Sequence, residues 1–571
     1  MKKYLIQISI GPVQDFIASA RKLRDLWFGS HILSELSKTV ARSLKEQGAK
    51  LIFPYTATDS ELDKASSLIV ANKVLAELES DINPSEVIAK VKEAWSEHRK
   101  EYADIALENI SKIKKIKINN ALYQNQISDA GEFFAAWVEY AENYKSTKAK
   151  LERLLAGRKS LREFKAPAWD GTGIPKNSLD GIREAVTGDK QEEIIGLIKK
   201  NERLDALGCI KRFSPLSSGQ KKYFDDLSDI ALIPWFKGFE NSGDSALLTK
   251  FICHFVEDFK DQQKLPDIKN GKYSECFFYE KNKLKQFGAL DDYNAIKCIS
   301  KLGEPQKYAC ILIGDGDNMG KALDSIETAD GHRTFAEYLG EFAKNIEKTI
   351  EKFEGSMIYA GGDDVMAYVP LHTIIDCADA VRKNFAESMK TIFKDLNLSG
   401  NQPTFSIGVA VVHHSMPLDQ ALNTARRAEG IAKGIDGKNA LALVRRKRSG
   451  LEIVIKGKWD IEGAGGIVSG LKTMCRLYET KKLPATLGYQ LRQAKVTAGN
   501  TIRFISSGDD NSIVPLNAAS AMVLSIFNQK EHGELLKDLL LDQISIRALS
   551  DQMVCAHQIA SAQIMSQGDK L

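Results

Sequence analysis

The sequence predicts an α+β fold, because a strand followed by a helix occurs twice, far apart in the chain, and the second copy continues through a hairpin. The strands that begin the two copies are predicted at residues 4–10 and 308–313. After the second come a helix, two short strands on either side of Gly361-Gly362-Asp363-Asp364, another helix, and a strand at 404–412. Strand, helix, hairpin, helix, strand is the order of a ferredoxin-like domain.

Four regions are predicted from these patterns. The first is a ferredoxin-like palm at 1–165, with a helical insertion and without metal-binding carboxylates, and a mixed, largely helical middle or linker region follows at 166–305. The second palm is predicted at 306–450 and a helical carboxy-terminal domain at 451–571. Both palms are expected to be of the GGDEF/cyclase-like type.

The helices of the first palm are predicted from the spacing of apolar residues. Phe16, Ala20, Leu23 and Trp27 recur every three or four positions, which predicts one amphipathic helix. A second helix is expected after Gly29-Ser30, and long charged helices are expected throughout 85–165.

Composition narrows the class of protein only a little. The 571 residues include 79 Lys and Arg against 75 Asp and Glu, so net charge does not by itself predict a nucleic-acid-binding protein. The eight cysteines form no Cys-x-x-Cys pair, which favours a reducing cytoplasm and predicts no zinc site. Neither a signal peptide nor an apolar run of membrane-spanning length is present, so we expect a cytoplasmic protein without membrane contact.

Carboxylates at two turns predict a metal-dependent phosphoryl-transfer site. Asp315 and Asp317 follow one buried strand, and Asp363-Asp364 occupies a hairpin tip between two others; in a palm sheet these strands are neighbours. Such carboxylates suit two Mg²⁺ or Mn²⁺ ions. Each motif alone also occurs as an ordinary solvated turn, and their combination carries the prediction. The predicted catalytic residues are Asp315, Asp363 and Asp364, and the predicted metal ligands are Asp315, Gly316, Asp317, Asp363 and Asp364.

ATP is the predicted substrate, and several residues are predicted to bind nucleotide. The triphosphate is expected over the start of the helix at Asn318, Met319 and Gly320, where amide groups and the helix dipole favour anions. Gly361 and Gly362 are expected to allow the turn and close approach of phosphate. Lys433 and Lys438 are candidate phosphate contacts, although a solvated loop explains either lysine as well.

The first strand-to-helix turn repeats the second without its carboxylates. Pro12 stands where Asp315 stands, and Gln14 where Asp317 stands, so this copy cannot hold magnesium in the same way. Gly11, Gln14 and Asp15 are still predicted to shape a nucleotide pocket.

Motifs along most of the chain resemble the large palm-domain subunit of type III-B (Cmr) CRISPR effector complexes. They lie at 10–17, 20–27, 204–213, 314–320, 361–364, 413–418 and 437–440. The resemblance implies antiviral defence: association with CRISPR RNA and other Cmr subunits, binding of complementary target RNA, and target-activated synthesis of cyclic oligoadenylate from ATP. Because the palm begins at residue 4 and no histidine is followed by Asp, the HD nuclease of many relatives is not expected. Lys176 to Gly181 replaces the zinc-binding Cys-x-x-Cys of some relatives.

Three other functions stay open at the level of sequence. The site could transfer AMP from ATP to S-adenosylmethionine, which some members of this branch are thought to do. A non-catalytic RNA-binding scaffold subunit would explain the length of the chain but not the retained carboxylates. A free-standing relative of diguanylate cyclases would explain the second palm alone.

Overall fold

A computed structural model describes residues 2–161, 173–188, 197–216, 227–243, 294, 302–461 and 466–569. Isolated gaps fall at 65, 67, 114, 141–142, 499, 501, 503, 507–512, 516 and 529–544. Much of the predicted middle region, including 244–293 and 295–301, therefore lies outside the described residues.

The first sheet has the strand order β2-β3-β1-β4, with all neighbouring pairs antiparallel. Its strands are β1 (Lys2–Gly11), β2 (Lys50–Phe53), β3 (Lys73–Ser80) and β4 (Glu132–Glu139). The helices of this region are α1 (Gln14–Ala18), α2 (Leu23–Glu46), α3 (Pro84–Ser111), α4 (Asn120–Ser128) and α5 (Tyr144–Ser160). This is the ferredoxin-like order, which confirms the predicted fold class.

Three local predictions for the first palm were wrong. The single helix predicted through 16–27 is broken, because α1 ends at Ala18 and α2 begins at Leu23. The Lys211 ammonium holds this break by donating to the Phe16 carbonyl (2.8 Å) and the Ser19 hydroxyl (2.8 Å). By contrast, α2 runs through Gly29 without interruption. A Cβ at Gly29 would lie 3.2 Å from Cδ of Lys211, so the glycine makes room for that side chain rather than ending a helix.

The stretch 85–165 is also not wholly helical, because it contains β4. This strand pairs with β1 at the edge of the sheet and is only partly buried. Its sequence carries the short apolar run Phe133–Val138, which periodicity alone does not distinguish from a buried helix segment between charged helices.

The second sheet repeats this order and extends it. Its strands are β5 (Tyr308–Asp317), β6 (Ser356–Gly361), β7 (Asp364–Pro370), β8 (Thr404–His413), β9 (Ala440–Arg446) and β10 (Glu452–Lys458). Their order is β10-β9-β8-β5-β7-β6, so β6-β7-β5-β8 matches β2-β3-β1-β4. Strand β9 is parallel to β8, and β10 continues the sheet beyond residue 450.

The helices of the second palm are α8 (Met319–Ser325), α9 (Ala329–Lys352), α10 (Ile374–Asp395) and α11 (Leu418–Lys433). On one face of the sheet, Phe405 packs against Phe385 (ring centroids 4.6 Å apart) and Phe342 in the core. The opposite face, including Ile311 and Ala410, shares one continuous core with the helices of the first palm and with α11. The two palms are therefore joined by buried apolar surface.

The remaining described elements are largely helical, as predicted. They are α6 (Ala206–Phe213), α7 (Leu227–Ser242), α12 (Ile467–Glu479), α13 (Leu487–Ala498), β11 (Phe504–Ser506), β12 (Ile513–Pro515), α14 (Ala518–Asn528) and α15 (Ile546–Ser566). A buried ion pair fastens α6 to the first palm, because Arg212 binds both carboxylate oxygens of Asp25 and also contacts Glu202. Among the described helices, none combines the length and apolarity needed to cross a membrane.

Candidate active site

The end of β5 carries the first group of predicted site residues. The strand continues beyond the predicted residue 313 to Asp317, because β8 pairs with it as far as Thr404. Asn318 then adopts the left-handed conformation (φ 62°), and α8 begins at Met319, as predicted. Asp315 is thus a strand residue at the edge of the turn, and the first amide groups of α8 lie directly after it.

The hairpin between β6 and β7 carries the second group. Gly361 pairs with Asp364 and closes a two-residue turn formed by Gly362 and Asp363. Gly362 has φ 67°, the positive value that a primed hairpin turn requires. Gly361 has a different role, because a Cβ there would lie only 2.0 Å from the hydroxyl of Tyr359. That glycine makes room for a neighbouring tyrosine, a reason that the sequence pattern did not suggest.

The two turns meet at Gly316 and Asp363. A Cβ on Gly316 would lie 2.8 Å from Oδ2 of Asp363 and 2.9 Å from its Cβ, so the carboxylate rests against the backbone of the β5 turn. The order of the sheet explains this approach, because β7 is hydrogen-bonded to β5. Carboxylates from positions far apart in the sequence are therefore neighbours at one end of the sheet.

Lys433 at the end of α11 enters the same place. Its ammonium contacts Oδ2 of Asp315 and lies 3.1 Å from Oε1 of Glu429. Lys438 follows on the loop before β9, where it has φ 49° and its carbonyl accepts a hydrogen bond from Lys458 (2.5 Å). Burial, and then the charge of Lys438, lowers the pKa of Lys433.

Asp317 is placed differently from Asp315. It is fully buried, and Oδ2 accepts hydrogen bonds from the hydroxyls of Thr404 (2.9 Å) and Ser406 (2.8 Å) and from the amide of Asn439 (3.1 Å). Its other oxygen, Oδ1, is buried without a hydrogen-bond partner. Asp317 therefore fastens the loop of Lys438 and Asn439 to the β5 turn, and one carboxylate oxygen remains for any further ligand.

The carboxylates of the hairpin are held in an environment that disfavours their charge. Burial, followed by repulsion from Asp364, raises the pKa of Asp363 to about 6. Burial likewise raises the pKa of Asp364. The pKa of Tyr359 is raised by burial and by both aspartates. Excess negative charge in a partly buried place is what a bound cation would relieve.

Sequence reasoning missed Glu429, which belongs to this group. Burial and then the charges of Asp364 and Asp317 raise the pKa of Glu429, so its carboxylate lies among those of both turns. The Glu-to-Lys spacing of four positions in α11 was the available signal, but such pairs are common on solvated helices.

A lysine of the first palm, Lys73, acts electrostatically on the acidic site of the second palm. Lys73, the first residue of β3, opposes the rise in the pKa of Asp363, so its charge reaches across from one palm to the other. Burial and the charge of Lys73 lower the pKa of Lys159, at the end of α5. Neither lysine was predicted as a site residue. Ser9 of β1 pairs with Lys73, and Gly11 follows two residues later. A Cβ on Gly11 would lie 2.8 Å from Oε2 of Glu132.

Gln14 and Asp15 are exposed on α1, close in sequence to the end of β1. They remain candidates for a nucleotide pocket by their position in the sequence after β1.

The carboxylate oxygens at this site suit Mg²⁺ or Mn²⁺, which keep water and substrate ligands, better than a metal ion whose ligands all come from the protein. Among the residues that the structure describes, no three His, Cys, Asp or Glu side chains form a ready-made cage. Mg²⁺ normally takes one or two carboxylates and completes its shell with water and substrate phosphate. Asp315 and Asp363 could supply such carboxylates, with Asp364 beside them, and the unpartnered Oδ1 of Asp317 is a further buried oxygen at the same turn.

Together, the two ferredoxin-like sheets and the acidic turns of one of them define a double-palm protein. The family model "Cas10/Cmr2, second palm domain" matches residues 307–442, and "CRISPR-associated protein Cmr2, N-terminal" matches 5–116. Both palms of the chain therefore resemble the Cas10/Cmr2 family, in agreement with a large palm-domain subunit of the type III-B branch.

Individual relatives agree with this assignment. The chain is 26% identical to the CRISPR system Cmr subunit Cmr2 of Pyrococcus furiosus over an alignment 557 residues long, gaps included. The alignment covers 80% of this chain and 63% of that protein's length. A type III-B Cmr-beta structure in the apo state superimposes with a TM-score of 0.60 at 14% identity, covering 93% of this chain and 77% of its own. A Cmr-beta structure bound to cognate target RNA gives 0.59 at 14% identity, covering 87% and 76%. At this identity the two structures support the fold.

Proposed function

We propose that this chain is the catalytic large subunit of a type III-B CRISPR effector complex, and that it joins ATP into cyclic oligoadenylate when target RNA is bound. The observation that carries the proposal is the meeting of the two turns, with the Asp363 carboxylate against Gly316 and the Lys433 ammonium on Asp315. A site with carboxylates for cations and a lysine for phosphate is suited to nucleotidyl transfer.

The residues of the second palm have distinct roles in this proposal. Asp315 and Asp363, with Asp364 beside them, would hold Mg²⁺ or Mn²⁺, which would supply charge stabilisation on the transferred phosphate. The first amide groups of α8, at Met319 and Gly320, would receive the triphosphate. Lys433 would neutralise phosphate charge, with Lys438 on the adjoining loop.

The acceptor nucleotide would lie on the first palm. Its 3′ hydroxyl would attack the α-phosphate of ATP and release its proton to solvent water, a phosphorus–oxygen bond would form, and pyrophosphate would leave with the electrons of the broken bond. Gly11, Gln14 and Asp15 are placed near the end of β1, and Lys73 connects that end electrostatically to Asp363. The first palm would therefore position an acceptor without binding a metal.

The proposed partners are CRISPR RNA, complementary target RNA and other Cmr subunits in a cytoplasmic complex. The family-model matches support these partners, as do similar structures named as Cmr-beta assemblies, one of them bound to cognate target RNA. Activation by target RNA would make the isolated chain a poor catalyst.

The proposal is tested with the reconstituted guide-RNA complex incubated with ATP and Mg²⁺, with and without target RNA. Mass spectrometry is expected to detect cyclic adenylate oligomers and pyrophosphate only when target RNA is present. A complex carrying Asp363→Asn and Asp364→Asn serves as the matched control and is expected to yield neither. Assembly with guide RNA but no Mg²⁺-dependent ATP binding or product would instead support a scaffold subunit.

The same experiment separates two acceptors. Adding S-adenosylmethionine leaves the products unchanged if adenylate is the acceptor. A product with the mass of S-adenosylmethionine plus AMP would replace the oligoadenylate proposal and keep the site assignment.

A further inference from the structure

Glu429 and Lys433 lie one helical turn apart on the last part of α11. The spacing of four positions, with the glutamate nearer the amino terminus, is the favourable orientation for an ion pair on a helix. Both side chains are about three-quarters covered, with exposures of 22% and 27%. What distinguishes this pair from an ordinary helix pair is its third partner, because the same ammonium also contacts Asp315 from the β5 turn.

The backbone of α11 is fixed at this point. A Cβ on Gly408 of β8 would lie 1.9 Å from the amide nitrogen of Glu429, so helix and sheet are pressed together where the glutamate begins. The backbone position from which the Glu429 side chain extends is therefore fixed against the sheet that carries the acidic turns. Lys433 is the longer and more mobile member of the pair.

Charge explains why Lys433 reaches for two carboxylates. Glu429 lies close enough to Asp364 and Asp317 to be repelled by both, and Arg426 on the same helix relieves this only in part. Asp315 adds a further negative charge on the side of the β5 turn. An ammonium between Asp315 and Glu429 lowers the repulsion across the whole group.

We infer that Lys433 is an exchangeable cation: it neutralises Asp315 when no metal is bound, and Glu429 retains it beside the site when a metal takes Asp315. Glu429 is then a positioning residue, acting through Lys433. The inference rests on the proposed function, because it assumes that Asp315 binds metal. The Lys433 ammonium would thus pair with Asp315 when no metal is bound and with phosphate when metal and nucleotide are bound.

Competition for Asp315 has a measurable consequence. In the full guide-RNA complex without nucleotide, Lys433→Met is expected to bind Mn²⁺ about threefold to tenfold more tightly, the range expected for losing one partly exposed ion pair. Titration followed by the electron paramagnetic resonance signal of free Mn²⁺ measures this affinity without catalysis. The same variant is expected to bind ATP more weakly.

Glu429→Gln should act in the opposite direction. With its second partner removed, Lys433 is held by Asp315 alone, and Mn²⁺ affinity is expected to fall about threefold. This fall should disappear in the double variant Glu429→Gln with Lys433→Met, because the competing ammonium is gone. A general loss of negative charge would instead lower the affinity equally in both backgrounds and would overturn the inference.

Lys438→Met is the matched control. The charge of Lys438 also acts on Lys433, but Lys438 makes its hydrogen bonds to Ile435 and Lys458 through its backbone amide and carbonyl. It should leave Mn²⁺ affinity within about twofold of wild type. If it tightens Mn²⁺ binding as much as Lys433→Met, long-range electrostatics accounts for the effect and the exchange is disproved.

A parallel titration of Asp315→Asn separates the two levels of the proposal. Loss of Mn²⁺ binding in that variant, with no change in Lys433→Met, would refute the exchange and leave the proposed function intact. Unchanged binding in Asp315→Asn, or no binding by wild type, would refute the metal site and the exchange with it. Circular dichroism and guide-RNA assembly confirm that each variant is folded.

Discussion

The two palms have the same strand order but opposite chemistry at the ends of their sheets. Strand β7 of the second palm begins with Asp364, whereas β3, its counterpart in the first palm, begins with Lys73. Where the second turn has Asp315 the first has Pro12. Two copies of one fold thus begin corresponding strands with opposite charges, and the charge of Lys73 acts on Asp363. A shared fold places the residues, and the individual side chains decide the role of each copy.

The corresponding glycines show the same contrast in packing. A Cβ on Gly314 would lie 2.4 Å from the ring of Phe405, which is held in the core, whereas a Cβ on Gly11 would meet the flexible end of Glu132. The second palm therefore has a rigid aromatic ring behind its acidic turn, whereas the first has the end of a longer, unbranched side chain beside the corresponding glycine.

The largest expected effect tests whether catalysis belongs to the second palm. Replacing Asp363 and Asp364 by Asn should lower the rate of product formation about a thousandfold or more, because the cation ligands and their charge are removed. The matched double change Gln14→Ala with Asp15→Asn in the first palm should cost at most about tenfold, through weaker acceptor binding. Rates are measured by pyrophosphate release from target-activated complexes. Equal losses in the two variants would contradict the division of roles.

The next effect concerns stability. Gly314→Ala should lower the free energy of unfolding by about 1–3 kcal/mol, because the new methyl group overlaps the buried Phe405 ring. Gly11→Ala should cost less than about 1 kcal/mol, since the Glu132 carboxylate can move aside. Urea denaturation of both variants under identical conditions compares them. A larger loss for Gly11→Ala would show that the first palm is the more tightly packed copy.

Replacing Lys73 tests whether a charge on the first palm changes the ionisation of Asp363 on the second. Lys73→Met should lower kcat/KM for ATP about threefold to tenfold and move the acid side of the pH–rate profile to higher pH. The reason is that Lys73 opposes the rise in the pKa of Asp363, so removing it makes that carboxylate harder to ionise. Lys50→Met, at an exposed lysine on β2 of the same sheet whose ion-pair partner is Asp330 of α9, is the control and should change neither quantity. An unchanged profile for Lys73→Met would mean that the charge of Lys73 does not act on Asp363.

The smallest expected effect is on the stability of the metal-free protein. Folding raises the pKa of Asp363 from 3.8 to about 6, so the charged form is disfavoured and stability falls as the pH rises from about 4 to about 6. Asp363→Asn should therefore raise the melting temperature by roughly 1–3 °C at pH 7.5 and leave it nearly unchanged at about pH 3.5, where the carboxyl is largely protonated in both the folded and the unfolded state. Differential scanning fluorimetry with a chelator measures both. A decrease at pH 7.5 would show that Asp363 is not strained by its surroundings.

The sequence predicted the second palm more accurately than the first for a physical reason. Its central strands β5 and β8 are largely buried on both faces and read as continuous apolar runs, and the strand predicted at 404–412 is found at Thr404–His413. In the first palm, the edge strand β4 is half-buried, and the break between α1 and α2 is held by Lys211, which lies far away in the sequence. Local patterns do not record a distant hydrogen bond.

What the sequence determined by itself was the order of strands and helices in the second palm and the pair of acidic turns, because periodicity and turn chemistry are local properties. Only the tertiary structure decided which groups share the site. Glu429 and Lys73 come from a helix and from the other palm, and they reach the carboxylates only because sheet order and packing bring distant residues together. The depth of burial behind the hairpin, which raises the pKa of Asp363, likewise arises only once both palms are folded against each other.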